Sequence, residues 1–245
     1  MIQRTEAVIL KTQNWSESSR IIHAFTRKFG RMKFMAKGVR RSKSKFGAAF
    51  DPGTLSQIVF YRSIRSEIHT ASEASVVFYP GQGQKGTEGL NFLAPALEVA
   101  YRATDLESPN LALFNNLIVL LKALENSPGP QHPLAEFCLA SINNLGYHPV
   151  LDRCLDCRKT ALDEPFLFSL SMGGLLCPGC GKKHGESVAL TRSVLKGLDF
   201  WQQHDYLPPM ETADSLFLIR LLAEFINHHL SGHSRLVSFK YLPRN

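Results

Sequence analysis

Residues 31–37 read Arg-Met-Lys-Phe-Met-Ala-Lys, and this stretch decides how the first part of the chain folds. Successive side chains of a β-strand point to opposite faces. Alternation therefore gives an apolar face with Met32, Phe34 and Ala36, and a basic face with Arg31, Lys33 and Lys37. The apolar face is typical of a strand that packs on a core, and we expect the basic face to lie in water.

Four more β-rich runs surround this strand, and turn residues separate them. The five runs cover residues 5–11, 20–26, 31–37, 54–62 and 66–73. Phe29-Gly30, between the second and third runs, is typical of a tight hairpin. Five short strands within about 80 residues predict a small closed barrel, for which an OB-fold is the usual nucleic-acid-binding choice. An SH3-like barrel would give the same pattern.

Beyond residue 80 the pattern becomes helical. Four helices are predicted from capping and breaking residues: one from Ser108-Pro109 to about Asn126, one from Pro133 to Gly146, one capped by Thr191, and one from Asp214 to Leu230. The predicted class is α+β. An OB-fold domain covers residues 1–80, a helical domain covers 81–150 and 185–245, and a four-cysteine, zinc-ribbon-like insertion covers 151–184.

Positive charge is concentrated at the N-terminus. The chain has a net charge of +7, but residues 1–80 hold fourteen Lys and Arg against five Asp and Glu, and the remainder holds fourteen against sixteen. This asymmetry indicates a polyanion-binding module in the first third. The alternative is a solvated basic surface that serves only solubility.

The predicted DNA-binding residues lie on the third strand and just after it. They are Arg31, Lys33, Lys37, Arg40, Arg41, Lys43 and Lys45. Lys and Arg at this density neutralise phosphates and release counterions without reading base sequence. Phe46, at the end of this run, either offers a stacking surface for unpaired bases or closes the barrel core.

Four cysteines form the most specific local pattern. Cys154-x-x-Cys157 is followed, after nineteen residues, by Cys177-x-x-Cys180. Two such pairs supply four thiolates to one tetrahedral ion, and Zn²⁺ prefers these soft ligands. Because the protein fills all four positions, we expect one structural zinc. The alternatives are a thioredoxin-like redox pair and fortuitous free thiols. The fifth cysteine, Cys138, is predicted to be a core residue.

The sequence predicts a cytoplasmic protein that is not an enzyme. No stretch approaches the roughly 18 apolar residues of a membrane helix, and the first residues lack the layout of a signal peptide. No nucleotide-hydrolysis or hydrolase motif is present. The segment 81–86 matches G-x-G-x-x-G, but it follows Pro80 and opens no βαβ unit, so we interpret it as a linker.

Taken together, these features resemble the RecO family over nearly the whole chain. The resemblance rests on Ala7-Val8-Ile9-Leu10, Trp15-Ser16-Glu17, Phe25-Thr26, Gly30-Arg31, Ala36-Lys37-Gly38-Val39-Arg40, Leu145-Gly146-Tyr147-His148-Pro149, Phe168-Ser169 and Gly173-Gly174, together with the two cysteine pairs. One departure is that Ala135 and Glu136 precede Phe137, where the family often has basic residues.

What the resemblance implies is a recombination mediator of bacterial DNA repair. It would bind single- and double-stranded DNA, anneal strands coated by single-strand-binding protein (SSB), and help RecR to load RecA. It also implies that the helical domain receives the acidic, Phe-ended SSB tail, for which Lys122, Lys196 and Arg220 are the candidate basic residues.

Two other functions fit parts of the pattern. OB-folds and zinc ribbons also occur in RNA- or ribosome-associated factors, and annealing of SSB-coated DNA would separate the two possibilities. A thiol oxidoreductase would need an exposed cysteine of low pKa and no bound metal.

Overall fold

The computed structural model describes residues 1–80, 91–126, 129–160, 163–185, 187–230 and 235–243. The chain divides into two compact units, Met1–Ser127 and Pro128–Asn245. The first unit extends past residue 80 because it includes two helices as well as the strands. The predicted domain boundaries stay a prediction, and the predicted linker at 81–86 lies outside the described residues.

Five strands of the first unit form a closed barrel. They are β1 (Ile2–Asn14), β2 (Arg20–Thr26), β3 (Gly30–Ala36), β4 (Leu55–Tyr61) and β5 (Ile68–Phe78). Their order is β1-β2-β3-β5-β4, and β4 pairs with β1 to close the barrel. All neighbours are antiparallel except β3 and β5, which run parallel. This arrangement is an OB-fold, and it confirms the predicted fold class.

The alternation in β3 places the apolar side chains as expected. Met32, Phe34 and Ala36 are buried within the barrel core. The ring centroids of Phe34 and Phe60 are 5.0 Å apart with the rings near an edge-to-face angle, an arrangement that adds to the free energy gained by burying them. The period of two in the sequence therefore specifies the barrel interior.

Gly30 begins β3 at a position that excludes any side chain. Its φ is +71°, and an added Cβ would lie 2.2 Å from the carbonyl oxygen of Ser108. The Thr26 hydroxyl donates to the Gly30 carbonyl over 2.8 Å and accepts from the Phe29 amide over 3.0 Å. These bonds close the β2–β3 hairpin that Phe29-Gly30 predicts.

Two helices complete the first unit, α1 (Leu93–Arg102) and α2 (Leu111–Asn126). The sequence predicted only α2, because α1 starts after Phe92 without a side-chain cap. The Phe114 ring on α2 packs edge-on against Phe25 of β2 at 5.5 Å. At the start of α2, the Asn110 side-chain oxygen accepts from the Leu113 amide, and tertiary packing adds to the stability of this local cap.

The second unit combines helices with a small sheet. Its elements are α3 (Gln131–Asn144), β6 (Phe166–Ser169), β7 (Gly174–Leu176), α4 (Pro178–His184), β8 (Ser187–Leu190), α5 (Arg192–His204) and α6 (Thr212–His229). The Thr191 side chain caps α5 as predicted, by accepting from the Val194 amide. The N-cap of α6 is Glu211, three residues before the predicted cap Asp214, which lies in the first turn.

The described part of the chain contains no helix whose length and apolar character together would suffice to cross a bilayer.

His23 on β2 is expected to make stability depend on pH. Burial, followed by the nearby Lys11, Lys33 and Arg31, lowers the pKa of His23 from 6.5 to about 4. The folded state therefore holds this imidazole neutral while the unfolded state protonates it, so stability is lost as pH falls from about 6.5 to about 4. His23→Gln should remove this contribution. In thermal unfolding, the stability advantage of the wild-type chain should shrink over that pH range, and a constant difference would contradict the assignment.

Candidate nucleic-acid interface and cysteine cluster

Five of the seven predicted DNA-binding residues lie on one exposed loop after β3. Lys37, Arg40, Arg41, Lys43 and Lys45 all have exposed side chains. The loop turns at Gly38, whose φ is +74°, and the Arg41 amide donates to the Gly38 carbonyl over 3.2 Å. We call these five residues the basic loop.

Arg31 does not belong to this exposed set, and the expectation that it faces water is wrong. Its residue is 7% exposed, and its Nε donates to the carbonyl of Thr104 over 3.0 Å. Its guanidinium carbon lies 4.3 Å from the ring centroid of Tyr101 on α1. The alternation correctly puts Arg31 on the face opposite the apolar one. At this point, however, the segment around α1 covers the basic face, so Arg31 links β3 to Tyr101 and Thr104.

Lys33 is only partly accessible to a phosphate. Its Nζ lies 2.8 Å from Oε2 of Glu67, and the lysine side chain is 25% exposed. The same interaction holds the pKa of the Glu67 carboxyl below its ordinary value. An ion pair of this type neutralises part of the charge that a phosphate would meet.

Arg40 joins the basic loop to the turn between β1 and β2. Its guanidinium donates to the Ser16 carbonyl over 3.1 Å, and its backbone amide donates to the Ser18 carbonyl over 3.1 Å. The β1–β2 turn and the basic loop are thereby held side by side at one end of the barrel.

Phe46 is a core residue, which decides between its two interpretations. It is 3% exposed, and its ring centroid is 5.0 Å from that of Phe50 within the barrel core. It therefore offers no free face to a base.

Trp15 is the exposed aromatic residue that the sequence analysis did not assign to DNA binding. It follows β1, it is 62% exposed, and it lines a groove of about 430 Å³ together with Lys37 and Arg41. The available signal was a tryptophan inside an otherwise polar turn, Asn14-Trp15-Ser16-Glu17-Ser18-Ser19.

The four predicted metal ligands converge in the second unit. The Sγ atoms of Cys154, Cys157, Cys177 and Cys180 all lie within 4.8 Å of one another. Cys157 and Cys177, which come from different pairs, have their sulfurs 3.7 Å apart. Tetrahedral zinc with Zn–S bonds of about 2.3 Å needs sulfurs roughly 3.8 Å apart. The residues present therefore fit one tetrahedral metal ion, which a separate redox pair would not require.

Backbone amides near the Cys154 sulfur favour its thiolate form. Burial alone raises the pKa of the Cys154 thiol, but amide donors led by Cys177 outweigh it and lower the pKa to about 6. The Cys177 amide lies 3.3 Å from this sulfur. Thiolates are the form that binds metal. Cys138, in contrast, is fully buried in α3, and its surroundings raise the pKa of its thiol.

Small residues bring the chain close around the cluster. A Cβ on Gly174 would lie 2.6 Å from the Val150 carbonyl oxygen, and one on Gly181 would lie 2.3 Å from Cδ1 of Leu167. Cys177 precedes α4, whose first residue is Pro178. The glycines therefore allow β7 and α4 to pack where the cysteines meet.

The three candidate partner-binding residues come from different helices. Lys122 is on α2 in the first unit, whereas Lys196 and Arg220 are on α5 and α6 in the second. Arg220 lines a groove of about 620 Å³ with Lys240, Glu224 and Asn227, and Lys196 is not part of its lining. The groove walls include Ala223, Leu236, Phe239 and Leu242.

The Glu136 side chain has a structural contact. Its Oε1 accepts the Leu207 amide over 2.9 Å, and Ala135 beside it is buried.

Comparison with known proteins identifies the family. The model for the recombination protein O N-terminal region matches residues 1–79, and the model for its C-terminal region matches residues 90–236. The chain belongs to the RecO family. The first match covers the five strands of the barrel, and the second covers α1 to α6 and the four cysteines of the cluster.

RecO proteins of several bacteria align with most of this chain. A DNA repair protein RecO of Chlorobium phaeobacteroides is 30% identical over 252 residues, which cover 96% of this chain and 93% of the relative. RecO proteins of a Nocardioides species and of Exiguobacterium sibiricum are 32% and 30% identical, covering 80% and 84% of this chain and 84% and 81% of the relatives. Membership in a DNA repair family is therefore shown across both units.

Proposed function

We propose that this RecO-family protein is a non-enzymatic mediator of recombinational DNA repair. It binds single- and double-stranded DNA, anneals complementary strands, and acts with RecR to load RecA on SSB-coated DNA. The observation that carries the proposal is the basic loop on the OB-fold, with Lys37, Arg40, Arg41, Lys43 and Lys45 exposed together. A protein with this role acts in the bacterial cytoplasm, at the nucleoid.

The chemistry of annealing needs only charge neutralisation. Two complementary strands repel each other through their phosphates, and exposed Lys and Arg side chains lower that repulsion while releasing counterions. Because Arg40 donates to the Ser16 carbonyl, the basic loop stays against the barrel, and its charges face a bound DNA strand from one side. Buried Arg31 is left out of this surface, and Lys33 contributes at its margin.

The direct test is annealing of complementary DNA strands coated with SSB. The protein should accelerate duplex formation without ATP. An RNA- or ribosome-associated factor would bind RNA and leave the SSB-coated strands unpaired. Absence of annealing, combined with absence of DNA binding in a gel-shift assay, would contradict the proposal.

The cysteine cluster is proposed to hold one structural Zn²⁺. Cys154, Cys157, Cys177 and Cys180 would be its four ligands, and the ion would cross-link the segments on either side of β6 and β7. With four protein ligands, the ion has no position for a reacting water.

The groove beside α6 is the proposed site for the acidic, Phe-ended SSB tail. Its apolar walls suit a phenylalanine ring, and Lys240 at the rim is exposed. Arg220 donates to the Pro243 carbonyl, which holds its charge at the same groove. Of the three candidate basic residues, Arg220 is the one that lines this groove, and Lys240 is proposed as a second contact.

Changing Arg220 and Lys240 to Ala should weaken binding of an SSB-tail peptide by on the order of tenfold, because rim charges contribute modestly to affinity. Fluorescence anisotropy of a labelled peptide measures this. Lys196→Ala is the matched control, since it removes an exposed charge of the same unit away from the groove. Loss of peptide affinity in Lys196→Ala alone would indicate that the tail contacts α5 instead of the groove.

A further inference from the structure

Trp15 is held at the end of the barrel in a way that leaves its indole free. Its backbone amide donates to the Ser19 carbonyl over 3.0 Å, and the Ser16 amide donates to the same carbonyl over 3.3 Å. The turn is therefore fixed by its backbone, whereas the Trp15 side chain is 62% exposed. Within the ranges that the structure describes, no ring or cationic side chain stacks on the indole.

Exposure of this ring contrasts with the other tryptophan. The chain has two tryptophans, and Trp201 on α5 is 5% exposed. Exposing a large aromatic ring forgoes the free energy of burying it, so an exposed indole on a turn with a fixed backbone is typical of a binding surface.

The surroundings of Trp15 determine what it can bind. The groove that it lines also contains Met35, Gly38 and the cationic side chains of Lys37 and Arg41. Arg40, through its bonds to the carbonyls of Ser16 and Ser18, ties this turn to the basic loop. A flat apolar ring beside two cations complements a flat base attached to an anionic phosphate.

From this geometry we infer that Trp15 stacks on an unpaired base of single-stranded DNA whose phosphates contact the basic loop. The β1–β2 loop of an OB-fold is one of the loops that contact oligonucleotides. Every base has a π-face, so stacking on Trp15 tolerates any sequence. Bases inside a duplex are already stacked on one another and cannot reach the ring. Trp15 therefore gives this surface a preference for single strands that phosphate contacts alone do not supply. The inference rests on the proposed DNA-binding function of the basic loop.

Trp15→Ala is expected to weaken single-strand binding by about 5- to 150-fold, the range for loss of one stacked base, and to leave duplex binding unchanged. The slope of affinity against salt should also stay the same, because an indole releases no counterion. Trp15→Phe should restore most of the affinity, since it retains an aromatic face. Both variants keep the backbone bonds of the turn.

Tyr61→Ala is the matched control. Tyr61 is a 50% exposed aromatic residue of the same barrel, but it pairs with Ile2 at the other end of β1. Anisotropy of labelled oligothymidylate and of a hairpin duplex gives both affinities. Equal losses for both DNA forms in Trp15→Ala, or an equal loss in Tyr61→Ala, would overturn the inference.

Fluorescence supplies an independent readout. Oligothymidylate should quench the emission of exposed Trp15 saturably, and Trp15→Phe, which retains only buried Trp201, should lose this quenching while still binding labelled DNA. Quenching that persists in Trp15→Phe would also overturn the inference. If Trp15→Ala behaves like the wild type while Arg40 and Arg41 variants lose DNA, the proposed function stands and only the stacking fails. If the wild-type chain binds neither form of DNA, the proposed function itself fails.

Discussion

Cys154→Ser is expected to lower the metal content from one zinc per chain to near zero. Cys154 is the completely buried member of the cluster, and serine at that position supplies no soft thiolate. Binding of structural zinc is worth on the order of 10 kcal/mol in small zinc-binding peptides, far more than one hydrogen bond. The segment of residues 150–185 should therefore lose its fold. Elemental analysis of protein purified without chelator measures the zinc, and limited proteolysis detects the unfolding.

Cys138→Ala is the matched control for this experiment. It also removes a buried cysteine of the second unit, but Cys138 lies on α3 outside the cluster. It should retain one zinc per chain and lose only a little stability through reduced packing. A wild-type chain without metal, or a Cys154→Ser chain with its full complement, would show that the four cysteines do not form a zinc site.

Changing Arg40 and Arg41 together to Ala is expected to weaken DNA binding on the order of tenfold at 0.1 M salt, about equally for all sequences. Each phosphate contact that is lost should reduce the magnitude of the salt-dependence slope by about 0.7–0.9. The fold should persist, because both side chains are exposed and the barrel core does not include them. Affinities measured across a salt series give both the loss and the slope.

Arg4→Ala combined with Lys28→Ala is a charge-matched control. Both residues are exposed on the same barrel, one on β1 and one in the β2–β3 hairpin, and neither belongs to the basic loop. This control should retain nearly wild-type affinity if position matters and not merely net charge. Unchanged affinity in the folded Arg40 and Arg41 variant would contradict a role for the loop in DNA binding.

The parts of the fold that the sequence predicts correctly are those with a local periodic signal. The alternation over 31–37 specifies the inner face of β3, and Thr191 specifies the start of α5. The cysteine spacing predicts a cluster whose sulfurs the structure brings together. Each of these signals is carried by residues that are close in sequence.

The remaining features depend on contacts between distant segments. Arg31 is buried because the chain at Tyr101 and Thr104, some seventy residues away, covers its face of β3. The strands β6, β7 and β8 have only three or four residues each, too few for a period to be recognised. Trp15 becomes a candidate only when its turn is seen beside the basic loop.

The parallel pairing of β3 with β5 also constrains how the chain folds as it is synthesised. β3 can pair with β2 as soon as their hairpin exists, but its other edge stays open until residues 68–70 of β5 arrive. Long-range closure of this kind slows folding and leaves an edge at which another nascent chain could add a strand. Lys33, which lies on that edge opposite Ile68, introduces a charge there. Before its ion pair with Glu67 forms, the charge of Lys33 is therefore expected to disfavour the addition of a strand from another nascent chain at this edge.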